Sequence, residues 1–237
     1  MGKILQETPA FVIHRREYQE NSLLIEFFTL NHGRVAAVAK HVKSSKSALK
    51  FLLQPFIPLT VSFVQGKSDL FLLNDVSSSG AMKEFVVPRL FCASYLNELL
   101  YYLYKSKESD PKLFACYLNS LNGIEGDGSI DIYLRDFEFN LLESLGFAIR
   151  FSDHEGNNLK EDAFYKFVPD IGFIEAYADE QDAVLGSNLI LLANRQYLNN
   201  DVLKCARHIT HKVLRVLLGT KEIKSRSYYQ SFLKIKG

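Results

Sequence analysis

The sequence has no apolar run near the roughly 18 residues that a membrane-spanning helix needs. Its start, MGKILQETPAF, has neither the apolar core nor the small-residue cleavage site of a secretory signal, so the chain is expected in the cytoplasm. Myristoylation after Met1-Gly2 is excluded because Gln6 stands where Ser or Thr is needed. Only three cysteines occur, Cys92, Cys116 and Cys205; an odd number at wide spacing, each in sequence of helical period, fits buried thiols in a reducing compartment better than a disulfide framework. Phosphate-loop, dinucleotide, nucleophile-elbow and zinc-protease motifs are all missing. What is present is 47% hydrophobic and 23% charged over 237 residues, enough to bury one real core or two modest ones.

Acidic residues are also missing locally. None occurs between Glu26 and Asp69, a window that holds Arg34, Lys40, Lys43, Lys46, Lys50 and Lys67. The net charge of +1 therefore conceals segregation. Residues 1–80 carry nine Lys/Arg against six Asp/Glu, residues 81–199 ten against nineteen, and residues 200–237 nine against two. Two basic zones flank an acidic middle. Basic clusters are the footprint of a polyanion partner, because each cation that meets a phosphate releases condensed counterions. A solvated loop and a solvated helix face are the alternative.

Short segments rich in β-branched and aromatic residues fill the first zone: 11–16, 23–29, 34–40, 58–64 and 70–73. Gly33 closes the turn Leu30-Asn-His-Gly, so the second and third strands form a hairpin, and a turn around Gln65-Gly-Lys-Ser68 pairs the fourth and fifth. Five short strands with one longer connection, residues 41–57, suit a small OB-type Greek-key barrel, which binds single strands on one face; an SH3-like barrel fits the same pattern.

After residue 80 the period turns helical. Pro88 opens a buried helix over Arg89–Tyr104, Asp110-Pro111 starts a second that ends near Asn122-Gly123, and Ser129 or Asp131 caps a third over Tyr133–Leu145, stopped by Gly146. Residues 147–187 read as irregular, with room for a small hairpin. Asn200 or Asp201 caps a long helix over Val202–Leu218, ended by Gly219. The fold class is thus α+β in two domains: a five-stranded β-barrel over 1–80 and a mainly helical domain over 81–237, with an insertion near 147–187.

Catalytic chemistry finds little support. Cys205, His208 and His211 share a helix face, but one face cannot close a tetrahedral metal site, and a packed helix with partly exposed histidines explains them. The acidic pairs Asp153/Glu155 and Glu161/Asp162 lie in loop-like sequence, where carboxylates are usually solvated. No enzyme is expected.

Several colinear stretches resemble the RecO recombination mediator family. Phe11-Val-Ile-His-Arg-Arg-Glu-Tyr-Gln-Glu-Asn-Ser-Leu-Leu24, Phe28-Thr-Leu-Asn-His-Gly-Arg-Val-Ala-Ala-Val-Ala-Lys40 and Leu53-Gln-Pro-Phe56 are similar to its N-terminal barrel. Tyr95-Leu-Asn-Glu-Leu-Leu100, Leu134-Arg-Asp-Phe-Glu138 with Leu145-Gly146, and Leu218-Gly-Thr-Lys-Glu-Ile-Lys-Ser-Arg226 are similar to its helical part, in the same order. The resemblance runs from about residue 8 to 233 and rests on colinearity, since each motif is short. It implies a bacterial DNA-repair protein of the cytoplasm and nucleoid, with an OB fold and a helical C-terminal domain. It further implies binding and annealing of single- and double-stranded DNA, action with RecR, recognition of the C-terminal tail of single-strand-binding protein, and, indirectly, loading of RecA. Many members hold zinc with two CxxC pairs after the third helix. Here that region reads Phe151-Ser-Asp-His-Glu-Gly156, without cysteine, so neither zinc nor another cofactor is expected.

Within that frame Arg15, Arg16, Arg34, Lys40, Lys43, Lys46 and Lys50 are the DNA-contact candidates of the barrel, with Ser44, Ser45 and Ser47 as phosphate hydrogen-bonders. Tyr18, Phe28 and Phe63 are candidates for stacking on bases, although most aromatics of a small barrel form its core. Lys204, Arg207, Lys212 and Arg215, then Lys221, Lys224 and Arg226, make a second basic set. Arg135 stands where some relatives use an arginine to hold the phenylalanine-ended tail of single-strand-binding protein, with Arg207 and His208 as its expected neighbours. A helix ion pair of Arg135 with Asp131 or Glu138 is the alternative. An OB protein that binds RNA generally, and an enzyme built on the acidic helical part, are the other readings of the chain.

Overall fold

The computed structural model of the chain describes residues 4–42, 49–66 and 70–236. Five strands, β1 (Ile4–Tyr18), β2 (Ser22–Thr29), β3 (Gly33–Ala39), β4 (Leu59–Gln65) and β5 (Phe71–Ser78), close into a barrel in the order β1-β2-β3-β5-β4, with the short helix α1 (Leu49–Leu52) in the connection between β3 and β4. All pairings are antiparallel except β3 with β5, which run parallel at Ala37–Phe71 and Val38–Leu72. This is the OB arrangement. Strand β1 serves two neighbours, β4 through its first half and β2 through its second, and register shifts between Leu5 and Thr8 and between Val12 and His14 bend it to do so.

Alternation along the strands sends Val12, Ile25, Phe27, Ala37, Leu59 and Phe63 into the barrel interior, where the Phe27 and Phe63 rings meet edge-on at 5.3 Å. The opposite face of β1 and β2 is buried as well. Phe11 and Phe28 pack on Phe114 and Tyr117 of α3 (Pro111–Glu125), and Phe28 also meets Tyr104, just past the end of α2 (Arg89–Leu103). The stacking role considered for Phe28 and Phe63 is therefore excluded, because both rings are fully buried. A polar thread crosses this layer without loss: Tyr117 donates to Asn97 Oδ1 at 2.5 Å, and Asn97 Nδ2 donates to the Val12 carbonyl.

Gly33 is required twice over. Its φ is +58°, and a Cβ there would collide with the backbone carbonyls of Ser106 and Glu108, where the segment after α2 crosses the hairpin. The N–H of Arg34 donates to the Ser106 carbonyl at 2.8 Å. The cap of α3 is as expected, with Asp110 Oδ1 accepting from the Leu113 N–H.

The chain forms two compact units, residues 1–128 with 222–237, and residues 129–221. The expected division at residue 80 marks the end of the barrel, which lies inside the first unit. The second holds α4 (Ile130–Ser144), a sheet in the order β7-β6-β8 made of β6 (Phe164–Val168), β7 (Gly172–Ala176) and β8 (Val184–Leu185), then α5 (Gly186–Ala193) and α6 (Asn200–Leu218). Residues 147–187 are thus more ordered than their sequence suggests. Asn199, rather than Asn200 or Asp201, caps α6, its Oδ1 accepting from the N–H groups of Asp201 and Val202. The last helix, α7 (Lys224–Lys236), belongs to the first unit and lies against α2, where Phe91 meets Tyr228 and Phe232. Glu98 of α2 anchors its start by accepting from the Ser225 N–H at 3.1 Å, which places a carboxylate at a helix N-terminus. Among the described residues no helix is long and apolar enough to cross a membrane.

Candidate nucleic-acid interface

Cations of the barrel separate into wired and exposed groups. Arg34 is wired. Its Nε donates to Glu26 at 2.8 Å, its Nη1 donates to the carbonyls of Tyr101 and Tyr104 at 2.6 and 3.2 Å, and its guanidinium lies over the Tyr101 ring. These carbonyls end α2, so the guanidinium meets both unpaired backbone acceptors and the negative end of the helix dipole. Through these contacts Arg34 holds β3 on α2. Arg15 is half-committed, donating to the Leu53 carbonyl at 3.0 Å. Arg16, Lys40 and Lys50 are exposed. Lys43 and Lys46, with Ser44, Ser45 and Ser47, lie outside the described residues. Tyr18 is half-buried at the end of β1. On the same strand His14 stacks on Tyr101 with ring centres 4.0 Å apart, and burial holds its pKa below the usual histidine value despite the pull of Glu26.

In the second unit the decisive residue is Arg135. Its side chain is only 2% exposed, and Nη2 pairs with Glu138 Oε1 at 3.0 Å, one helical turn along α4. Glu138 is fully buried, accepts a short hydrogen bond from the Thr210 hydroxyl of α6, and lies 3.6 Å from His211 Nε2, which is itself 3.2 Å from Arg135 Nη1. Burial pushes the Glu138 carboxyl up, but the Arg135 charge, the His211 contact and the Thr210 hydroxyl together outweigh it and hold its pKa below the ordinary glutamate value. Arg135 is thus enclosed and engaged with Glu138, and the pair, through Thr210 and His211, clamps α4 to α6.

The exposed face of α6 is less cationic than its sequence. Lys204 pairs with Asp201 at 3.0 Å and Arg207 with Asp131 of α4 at 3.1 Å. Lys212 is bound to Asp182 at 3.1 Å and donates to the Phe167 carbonyl, so its ammonium is engaged within the unit. The hydrogen bond from Lys212, with the charges around it, holds the Asp182 carboxyl below its usual range. His208 faces the same carboxylate at 3.6 Å; burial and the Lys212 charge keep its pKa below the usual histidine value against the pull of Asp182. The buried Nε2 of His208 has no hydrogen-bond partner among the described residues. Arg215 and Lys221 are exposed in this unit, whereas Lys224 and Arg226 are exposed on α7 in the first, so the second basic set is divided between units.

Among the described residues no group of three or more His, Cys, Asp or Glu side chains is placed to hold a metal ion. Cys205 is buried, and burial pushes its thiol up to about 12. In the segment where the resemblance implies zinc cysteines in other members, Asp153 organises the turn instead, accepting from the Glu155 and Asn157 N–H groups and from Asn157 Nδ2.

Comparison with known proteins agrees with this architecture. The family model for the N-terminal part of recombination protein O matches residues 1–81, and that for its C-terminal part matches residues 87–226. The chain belongs to the RecO family. It is 35% identical over 236 residues to DNA repair protein RecO of Pseudoalteromonas atlantica, covering 98% of each chain. To the RecO of Coxiella burnetii it is 36% identical over 229 residues, covering 95% of this chain and 98% of that one, and to that of Methylococcus capsulatus 34% identical over 224 residues, covering 94% and 92%. In this member of the RecO family, sequence reasoning missed Thr210 and His211 as partners of the buried pair, because nothing in a helix signals which neighbour it will meet. It also missed Phe51, Glu98 and Tyr228, which line an open groove of the first unit.

Proposed function

We propose that the protein is a non-enzymatic recombination mediator that binds single- and double-stranded DNA, promotes annealing of complementary strands and, together with RecR, helps RecA onto strands covered by single-strand-binding protein. The observation that carries this reading is the closed OB barrel whose third strand runs into an acid-free basic segment, in a chain of a family whose relatives are named DNA repair proteins. Arg16, Lys40 and Lys50 serve as phosphate contacts, and Lys43 and Lys46 extend them along the same stretch of chain. Phosphate attraction by serine-spaced lysines needs no fixed geometry, which suits a protein that handles strands of any sequence.

The tail of single-strand-binding protein is the proposed partner of the second unit. With Arg135 enclosed, Arg207 is the group that receives a terminal carboxylate: it is exposed, and its pairing with Asp131 is a solvent-screened one that is readily exchanged. His208, the next residue along α6, is the proposed neighbour of that contact. The test is annealing of complementary strands, bare or coated with single-strand-binding protein, by wild type and by Arg207→Glu. Loss on coated strands with retention on bare ones supports the reading; equal rates on coated strands refute the tail contact. Failure of the wild type to anneal bare strands refutes the mediator role itself.

A further inference from the structure

Within the first unit, an open groove of about 910 Å³ runs between the segment after α1, Met82, α2 and the start of α7. Two aromatic rings line it without being buried: Phe51 is 75% exposed and Tyr228 57%. Single exposed apolar residues are ordinary, but here exposed Met82 and Leu90 line the same groove, so its apolar surface is continuous.

Charge is arranged around this apolar surface in a defined way. Lys50 precedes Phe51, while Lys224 and Arg226 flank Ser225 and stand one turn or less from Tyr228; all three cations are exposed. Lys224 and Tyr228, four residues apart, share a face of α7. The groove itself contains one carboxylate, Glu98, half-buried with both oxygens turned to the Ser225 N–H. Such a site repels phosphate at its centre and attracts it at the rim. The ligand that fits must carry anionic charge along its edge, present flat faces to the rings and offer N–H donors inward.

We propose that the groove takes unstacked bases of single-stranded DNA against Phe51 and Tyr228, with the neighbouring phosphates on Lys50, Lys224 and Arg226. This inference rests on the DNA-binding reading given above and adds to it a source of strand selectivity. Bases of a duplex are paired and stacked, so only a single strand can enter. It also continues the basic segment of the barrel, since Phe51 follows the last lysine of the acid-free window before Gln54-Pro-Phe56.

The test uses the full chain and fluorescence anisotropy with a single-stranded oligonucleotide and a duplex of equal length, each at two salt concentrations. Stacking is worth enough per base that Phe51→Ala combined with Tyr228→Ala is expected to weaken single-strand binding by roughly 10- to 100-fold, with duplex binding and the salt slopes unchanged. Phe51→Trp, which keeps a stacking face, is expected to retain wild-type binding and to show Trp quenching by the oligonucleotide. Tyr228 also rests on Phe91 of α2, so Phe51→Ala alone, which spares that contact, is expected to weaken single-strand binding selectively as well. Unchanged single-strand affinity, or an equal loss on both DNAs, overturns the groove assignment while leaving DNA binding standing. Unchanged affinity is the pattern that an apolar peptide as the groove's true occupant would give. A wild type that binds neither DNA overturns both readings.

Discussion

Removing Arg135 should show how much the second unit depends on one buried pair. In Arg135→Ala the Glu138 carboxylate keeps its hydrogen bond from Thr210 and its contact with His211 but loses the guanidinium 3.0 Å away while staying buried in the helix pair. An isolated charge left behind in this way costs about 3–5 kcal/mol. The sign of the pH dependence is diagnostic. In the wild type the folded Glu138 pKa is depressed, so its contribution is complete above the unfolded value of about 4.3 and is lost as pH falls through the lower folded value. In the variant burial dominates, the folded pKa rises above the unfolded one, and protonation relieves the strain. The deficit against wild type should therefore be full at pH 8 and shrink towards pH 5. Amide hydrogen exchange along α4 and α6 measures it locally, without assuming that both units unfold together. A loss below about 1 kcal/mol at pH 8, or a deficit that grows on acidification, refutes the argument. Arg135→Met with Glu138→Leu, which removes both charges, should recover most of the loss.

Three other outcomes follow from the first unit and α6. Replacing Lys40 and Lys50 with alanine should lower the salt slope of DNA binding by about one per lost contact, whereas Arg34→Ala should leave the slope unchanged and reduce thermal stability, as expected of a residue that joins β3 to α2. Gly33→Ala should destabilise the protein by more than about 2 kcal/mol in urea unfolding, because left-handed backbone strain adds to a collision with carbonyls that cannot retreat. Cys205 should resist iodoacetamide at pH 8 in the native state and react on unfolding, its thiol being buried and pushed up to about 12; native reactivity would show that α6 opens more readily than its packing implies.

The barrel was legible because its strands obey simple rules, and the misses have local causes. Strand β1 begins at Ile4, earlier than its sequence suggests, since Gln6, Glu7 and Pro9 dilute the apolar signal; Pro9 is tolerated where the strand changes partner from β4 to β2. Strand β5 ends in Asn74-Asp75-Val76-Ser77-Ser78, residues that favour turns and are held extended by pairing with β4. Helix α7 begins Lys-Ser-Arg-Ser, without an apolar residue to mark a buried face, and depends on tertiary support: the Glu98 carboxylate at its start and the Phe91 ring against Tyr228 and Phe232. Each of these elements is decided by a partner distant in the chain, which local periodicity does not contain.

The same limit explains the site. Counting lysines and arginines in a window measures charge before partners are assigned: Arg34 takes Glu26 and the last carbonyls of α2, Lys212 takes Asp182 and Arg207 takes Asp131, all from other elements, while Arg135 takes Glu138 one turn along its own helix. Three of these cations have side chains between 2% and 26% exposed, where an ion pair is costly to break; the fourth, Arg207, is 56% exposed, where exchange of one carboxylate for another is nearly free. Exposure therefore separates structural cations from recognition cations more sharply than position in a basic run. By that measure Arg207 of the second unit and Arg16, Lys40, Lys50, Lys224 and Arg226 of the first are the exposed cations on which the proposed carboxylate and phosphate contacts rest. On the proposed reading strength and selectivity have different origins: such cations attract any nucleic acid and lose hold as salt rises, whereas a ring such as Phe51, which releases no counterions, favours an open strand at any ionic strength.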